Sequence, residues 1–89
     1  MATENKYTLY VKTGCPFCAK VLRFMDENDI ALPTLNTIDW PAAKDDLINI
    51  GGKMQVPCLV IDGKALYESD DIIAYMRDHL KELQAISKN

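Results

Sequence analysis

Lys12-Thr13-Gly14-Cys15-Pro16-Phe17-Cys18 decides how this chain is read. It follows an apolar run, Tyr7 to Val11, and opens a helical pattern near Pro16. The spacing predicts a strand that ends by Val11, a turn at the glycine, and Cys15 at the mouth of a helix with Pro16 at its first position. There the free N–H groups of the first helical turn and the positive end of the helix dipole point at the Cys15 sulfur. Both favour thiolate over thiol, and thiolate is the form that attacks disulfides. Cys18 lies nearly one turn further on, on the same side, so its sulfur can reach that of Cys15. Half of a zinc site is one alternative, but such sites usually carry a second Cys/His pair, and this chain offers only His79 and Cys58. Two inert core cysteines are another. A CxxC pair behind a β–α pattern in a short chain favours redox chemistry over both.

Eighty-nine residues suit one domain, 1–89, with a single modest core and an ordered part at about 6–84. Hydrophobic residues make up 48% and charged residues 26%, ordinary for a folded soluble chain. A net charge of −3 argues against a nucleic-acid partner. Met1 to Lys6 holds no apolar signal core, and no apolar run approaches a membrane span. The expected compartment is therefore a reducing cytoplasm. An odd number of cysteines speaks against a structural disulfide framework, so a Cys15–Cys18 disulfide would be transient there.

Taken in order, residues 1–5 read as a loose start. Tyr7-Thr8-Leu9-Tyr10-Val11 is aromatic and β-branched and reads as a buried strand. Pro16 to Asn28 reads as a helix with Phe17, Val21, Phe24 and Met25 on one face. Pro33 to Asp39 is a second strand anchored by Leu35 and Ile38; a helix between the two strands implies parallel pairing. Ala42 to Ile50 is a shorter helix with Ala43, Leu47 and Ile50 inward, closed by Gly51-Gly52. Lys53 to Val56 is a loop. Pro57 opens Cys58-Leu59-Val60-Ile61, apolar throughout, as in a central strand covered on both faces. Asp62-Gly63 is a hairpin signal, and Lys64 to Tyr67 returns as an antiparallel edge strand. Ser69 is expected to cap a last helix, with Asp70 and Asp71 in its first turn. Ile72, Met76, Leu80 and Leu83 would line its buried face, and the tail after Gln84 would fray. The order is β-α-β-α-β-β-α: a four-stranded mixed sheet with three helices, an α/β sandwich.

With these pieces placed, the chain resembles the glutaredoxins of the thioredoxin-fold superfamily over about residues 6–82. Tyr10 to Cys18 is similar to the dithiol CPFC active site. Gly52-Lys53-Met54-Gln55-Val56-Pro57 is similar to the loop that leads to the family's cis-proline. Ser69-Asp70 sits where the family grips the γ-glutamyl end of glutathione. Many glutaredoxins carry a Gly-Gly pair where this chain has Tyr67-Glu68. Glu68-Ser69 is instead similar to the glutathione-gripping pair of glutathione transferases and transferase-like glutaredoxins. That departure bears on how closely a protein partner can approach over the turn.

The resemblance implies a thioredoxin-like fold and a glutathione-disulfide oxidoreductase. Cys15 would be its nucleophile and Cys18 its resolving thiol. It also implies that Val56 offers backbone N–H and C=O to an extended glutathione, with Pro57 cis to expose them. Lys12 would bind the glycine carboxylate and support the thiolate, unless it is a solvated surface lysine. Lys53 is a second carboxylate candidate. Ser69 and Asp70 fit both a plain helix start and a zwitterionic γ-glutamyl end, with Glu68 as a further contact. Tyr10 and Phe17 would flank the site, Phe17 beside the sulfur or simply in the core. Cys58 reads as a small core residue. His79 has a bland place late in the last helix, and Trp40 covers an edge of the core.

No metal and no bound organic cofactor are implied; glutathione is a cosubstrate. Partners would be glutathione and glutathionylated or disulfide-containing proteins, acting on a monomer, with no nucleic acid and no membrane. A thioredoxin-like donor that ignores glutathione, and an iron–sulfur carrier bridged by Cys15 and glutathione, stand as alternatives.

Overall fold

The structure is a computed structural model that describes residues 6–87. The expected loose start, residues 1–5, lies outside them. The elements are β1 (Tyr7–Val11), α1 (Pro16–Glu27), β2 (Thr34–Asn36), α2 (Pro41–Gly51), β3 (Cys58–Ile61), β4 (Lys64–Tyr67), α3 (Ser69–Asp78) and α4 (Leu80–Ser87). They form one four-stranded sheet in the order β2-β1-β3-β4. β1 pairs parallel with β2, with Val11 opposite Asn36. β1 pairs antiparallel with β3, with Tyr10 opposite Cys58, and β3 pairs antiparallel with β4. The ends of β1 and β2 and the start of β3 therefore share one edge of the sheet. The CxxC loop and the Val56-Pro57 loop both leave from it.

Alternation along β1 sorts the core. Tyr7, Leu9 and Val11 face α1, α3 and α4, where they meet Val21, Met25, Ile72, Met76 and Leu83. Tyr10 faces the other way, against Ala43 and Leu47 of α2 and Cys58 and Val60 of β3. Each fully buried leucine contributes about 1.5–3 kcal/mol through removal from water. The hairpin is as the Asp-Gly pair demands, with φ of 50° at Asp62 and 81° at Gly63. Among the described residues no helix is long and apolar enough to cross a membrane.

Five expectations are corrected. The last helix is two, broken at His79. Its N–H donates to Tyr75 O, its Nδ1–H donates to the same carbonyl at 2.9 Å, and its ring stacks on Tyr75. The side-chain bond closes the end of α3, and the chain restarts as α4. The tail beyond Gln84 is helical to Ser87, because Gln84 Nε2 donates to Asn28 O and Ser87 Oγ accepts the Ala31 N–H. Ile38 is 55% exposed: β2 stops at Asn36, whose Oδ1 accepts the Ile38 N–H and turns the chain. Trp40 is 63% exposed and covers no core edge, since Pro41 starts α2 directly behind it. Ile50 is exposed because Gly51 makes the close approach to Ala65 and Tyr67 at that turn.

Candidate active site

Cys15 is the N-cap residue of α1, in an extended conformation with φ −94° and ψ 113°, and Pro16 follows at the helix start. Its Sγ accepts the Cys18 N–H at 3.2 Å. Burial of the sulfur opposes ionisation. The Cys18 thiol, the N–H groups of Cys18 and Phe17, and the Lys12 charge outweigh it and hold the Cys15 thiol below its ordinary range. Cys18 is fully buried. Burial first, then its position as donor to Cys15, pushes its thiol well above the ordinary range. The pair is thus unequal: a half-buried sulfur whose thiol is held below its ordinary range, and a buried one whose thiol is pushed above it. Both are free thiols.

Beside Cys15 lies a cavity of 330 Å³ lined by Phe17, Gln55, Val56, Pro57, Glu68, Ser69 and Asp70. The Val56–Pro57 peptide is cis, as the resemblance implies. Cys15 Sγ stands 4.0 Å from Val56 O, so sulfur and cavity wall adjoin. On the far wall Glu68, not Ser69, is the N-cap residue of α3, correcting the expected Ser69 cap. Glu68 has φ 75° and makes no side-chain cap bond; its carboxylate instead accepts from Gln55 Nε2 at 3.0 Å. Ser69 is the first residue of the helix and is buried. Asp70 pairs with Lys20 of α1.

The structure thus brings Phe17, Val56, Pro57, Glu68, Ser69 and Asp70 together around one cavity. Phe17 is 62% exposed and belongs to this wall, not to the core face of α1. Lys12 is exposed at the end of β1, where its charge reaches Cys15. Lys53 is not in the cavity lining; its ammonium lies 4.6 Å from the centre of the Tyr67 ring. Tyr10 is buried under α2 and does not flank the site. Cys58 is a core residue whose thiol burial pushes up to about 11. His79 sits at the α3–α4 junction. Sequence reasoning missed Gln55 and Lys20. Gln55 stands directly before Val56-Pro57, which was the available signal; Lys20 gave none, because its partner is on another helix.

A four-stranded thioredoxin-like fold with a thiolate-favouring cysteine at a helix entrance beside a cis-proline defines the thiol–disulfide oxidoreductase class. The profile of the glutaredoxin family matches residues 7–66. Glutaredoxin-C4 of Arabidopsis thaliana is 31% identical over 91 residues, spanning 98% of this chain and 67% of that protein. Among solved structures, oxidized glutaredoxin 2 of Chlamydomonas reinhardtii is 28% identical with a TM-score of 0.66, covering 94% of this chain and 83% of that one. A buckwheat glutaredoxin–glutathione complex, 24% identical, shares the fold with a TM-score of 0.69, covering 94% of this chain and 80% of that one. The chain belongs to the glutaredoxin family. Its function is that of the family, glutathione-dependent thiol oxidoreduction.

Proposed function

We propose that this chain is a dithiol glutathione-disulfide oxidoreductase, acting as a single-domain monomer in a reducing cytoplasm. The observation that carries the proposal is the adjacency of the Cys15 sulfur to the cavity between Val56-Pro57 and the start of α3. Cys15 thiolate attacks the glutathionyl sulfur of a protein–glutathione disulfide. That S–S bond breaks, a Cys15–glutathione disulfide forms, and the protein leaves as thiolate and takes a proton from solvent. A second glutathione thiolate attacks the glutathionyl sulfur, releasing oxidised glutathione and restoring Cys15. On a protein disulfide, the Cys15 thiolate attacks one sulfur. That S–S bond breaks, and a Cys15–substrate mixed disulfide forms as the first substrate thiol is released. Cys18 then gives up its proton and attacks the Cys15 sulfur, breaking the mixed disulfide. The substrate's second thiol is released and Cys15–Cys18 is left, which two glutathiones reduce. No bound cofactor takes part.

The cavity's chemistry suits the tripeptide end to end. Val56 offers backbone N–H and C=O to an extended peptide beside the cis-proline. The α3 helix start, with no side chain capping it, offers N–H groups to the γ-glutamyl carboxylate. Asp70, with Glu68 nearby, takes the ammonium; Ser69 adds a hydroxyl, and Phe17 covers the sulfur end. Lys12 faces the glycine carboxylate. Lys53 is the lesser candidate, because its ammonium is held on Tyr67. A glutathione-coupled assay on a glutathionylated peptide tests the assignment. Turnover saturating in the peptide is expected. Turnover that proceeds equally with a peptide disulfide lacking glutathione would overturn it.

A further inference from the structure

Three contacts tie the end of β4 to the segment before the cis-proline. Tyr67 Oη donates to Lys53 O at 3.0 Å. The Lys53 ammonium lies over the Tyr67 ring. Glu68 accepts from Gln55 Nε2 at 3.0 Å. Behind the ring stands Gly51, the last residue of α2. A Cβ built there would come within 1.8 Å of Tyr67 Oη and 2.7 Å of Tyr67 Cζ. The phenol therefore occupies a slot that only glycine leaves open, and the slot aims its hydroxyl at one loop carbonyl. Hydrophobic cover does not account for this arrangement. The ring is on an edge strand and only half-buried, and a plain apolar side chain would cover the same surface without a hydroxyl.

We propose that Tyr67 is a positioning residue for glutathione recognition: it holds Lys53, beside the Glu68 bond on Gln55, so that the Val56 backbone is presented to the tripeptide already ordered. The proposal rests on the pocket assignment made above. The segment from Gly52 to Pro57 has no helix or strand of its own, and past the Gly52 N–H bond to Ile48 O side-chain contacts help to order it. A peptide that pairs with a loose loop must order that loop on binding, and the cost appears as lost affinity. A loop already pinned at Lys53 by the phenol and at Gln55 by Glu68 has little left to lose. Tyr67 touches neither sulfur, so its removal weakens binding and spares the chemical step. The ring also takes the Lys53 ammonium, which keeps that charge on β4 and out of the cavity lining.

Three variants separate the parts. Tyr67→Phe keeps the ring and loses the hydroxyl. Tyr67→Leu loses both. Gly51→Ala leaves the phenol intact and pushes it out of its slot. Each is assayed for kcat and apparent KM on a glutathionylated peptide at saturating glutathione. Each is also assayed for the bimolecular rate of the reduced protein with hydroxyethyl disulfide, which carries no glutathione. Loss of one hydrogen bond predicts a rise in KM of about threefold for Tyr67→Phe, and the other two variants should reach about tenfold. We expect kcat and the hydroxyethyl disulfide rate to stay within about twofold of the parent. Wild-type KM in Tyr67→Phe and Gly51→Ala, or equal slowing on both substrates, overturns the proposal. Tyr67→Phe preserves the packing and decides the matter if Tyr67→Leu does not fold. Asp70→Asn measured in parallel locates a failure. If it raises KM while the Tyr67 and Gly51 variants do not, the positioning role alone is wrong. If none of the four moves KM, the pocket assignment is wrong as well.

Discussion

Replacing Cys18 by alanine should make Cys15 a worse nucleophile in acid and a better one in alkali. Two groups of residue 18 lower the Cys15 thiol below its ordinary range, the backbone N–H that Cys15 Sγ accepts at 3.2 Å and the neighbouring Cys18 thiol. Alanine removes only the second. A hydrogen bond to a charged acceptor contributes about 1.5–3 kcal/mol, and the half-exposed Cys15 and a weak S–H donor place this one at the lower end. About 1.4 kcal/mol is a factor of ten in the thiolate population at a fixed acidic pH. The more basic thiolate is also intrinsically more reactive, with a Brønsted coefficient of about 0.4–0.5, which returns a factor of roughly three. The net expectation is a rate about threefold below wild type on the acid limb and about threefold above it on the alkaline plateau. The two profiles must cross. Cys18→Ser, which keeps a donor, should stay closer to wild type. Stopped-flow reaction of the reduced protein with a small symmetric disulfide, followed across pH, reads this directly. A Cys18→Ala profile that lies below wild type at every pH, or shows no displaced midpoint, refutes the hydrogen-bond account of the thiolate.

Cys15→Ser should abolish turnover on glutathionylated peptide, whereas Cys18→Ser keeps it and loses reduction of protein disulfides; equal losses in the peptide assay would reverse the assignment of nucleophile and resolving thiol. Asp70→Asn should raise KM for the glutathionylated peptide by about two- to fivefold at low salt, the range of an exposed ion pair. Lys20→Met should lower KM, because Lys20 competes for the Asp70 carboxylate; a rise would mean that Lys20 itself binds the ligand. The Cys58 thiol, pushed up to about 11 by burial, keeps its proton in the folded state where an unfolded cysteine, with a pKa of about 8.5, has lost it. Its contribution to stability is therefore complete below about pH 8.5 and declines by up to about 1.4 kcal/mol per pH unit toward pH 11. Cys58→Ala should flatten that alkaline fall in thermal unfolding, and an unchanged slope would show that Cys58 does not ionise on unfolding.

Local signals carried most of the fold. The apolar run of β3, the Asp62-Gly63 hairpin and Pro16 at the start of α1 each specify their element through residues within a few positions, and each is found as read. Failures occur where distant contacts decide. Ser87 is ordered by Ala31, and Gln84 by Asn28, each 56 positions away, so fraying was the reasonable expectation from the tail alone. His79 ends α3 by bonding the Tyr75 carbonyl. Its spacing on the helix gave no hint, since a histidine there fits an unbroken helix equally well. Trp40 and Ile38 are large and apolar, yet the short β2 and the turn at Asn36 leave them outside.

The site divides the same way. Cys15 was legible because its chemistry is set by its own helix entrance. The Gln55–Glu68 bond, the Lys20–Asp70 pair and the seat of Lys53 on Tyr67 link residues 13 to 50 positions apart and were not. The expected Ser69 cap failed for a reason that bears on function. A serine, aspartate or asparagine at the N-cap satisfies one helix N–H with its own oxygen. Glu68 holds that position at φ 75° and ψ 118°, a sparsely populated conformation that costs a non-glycine residue roughly 1–3 kcal/mol, and sends its carboxylate to Gln55 instead. The first turn of α3 is left with N–H groups that no side chain at the cap takes, on the wall of the cavity. A helix start whose only task was to begin a helix would be better served by the cap it lacks. An uncapped start facing a cavity suits a helix that reserves its donors for an incoming carboxylate.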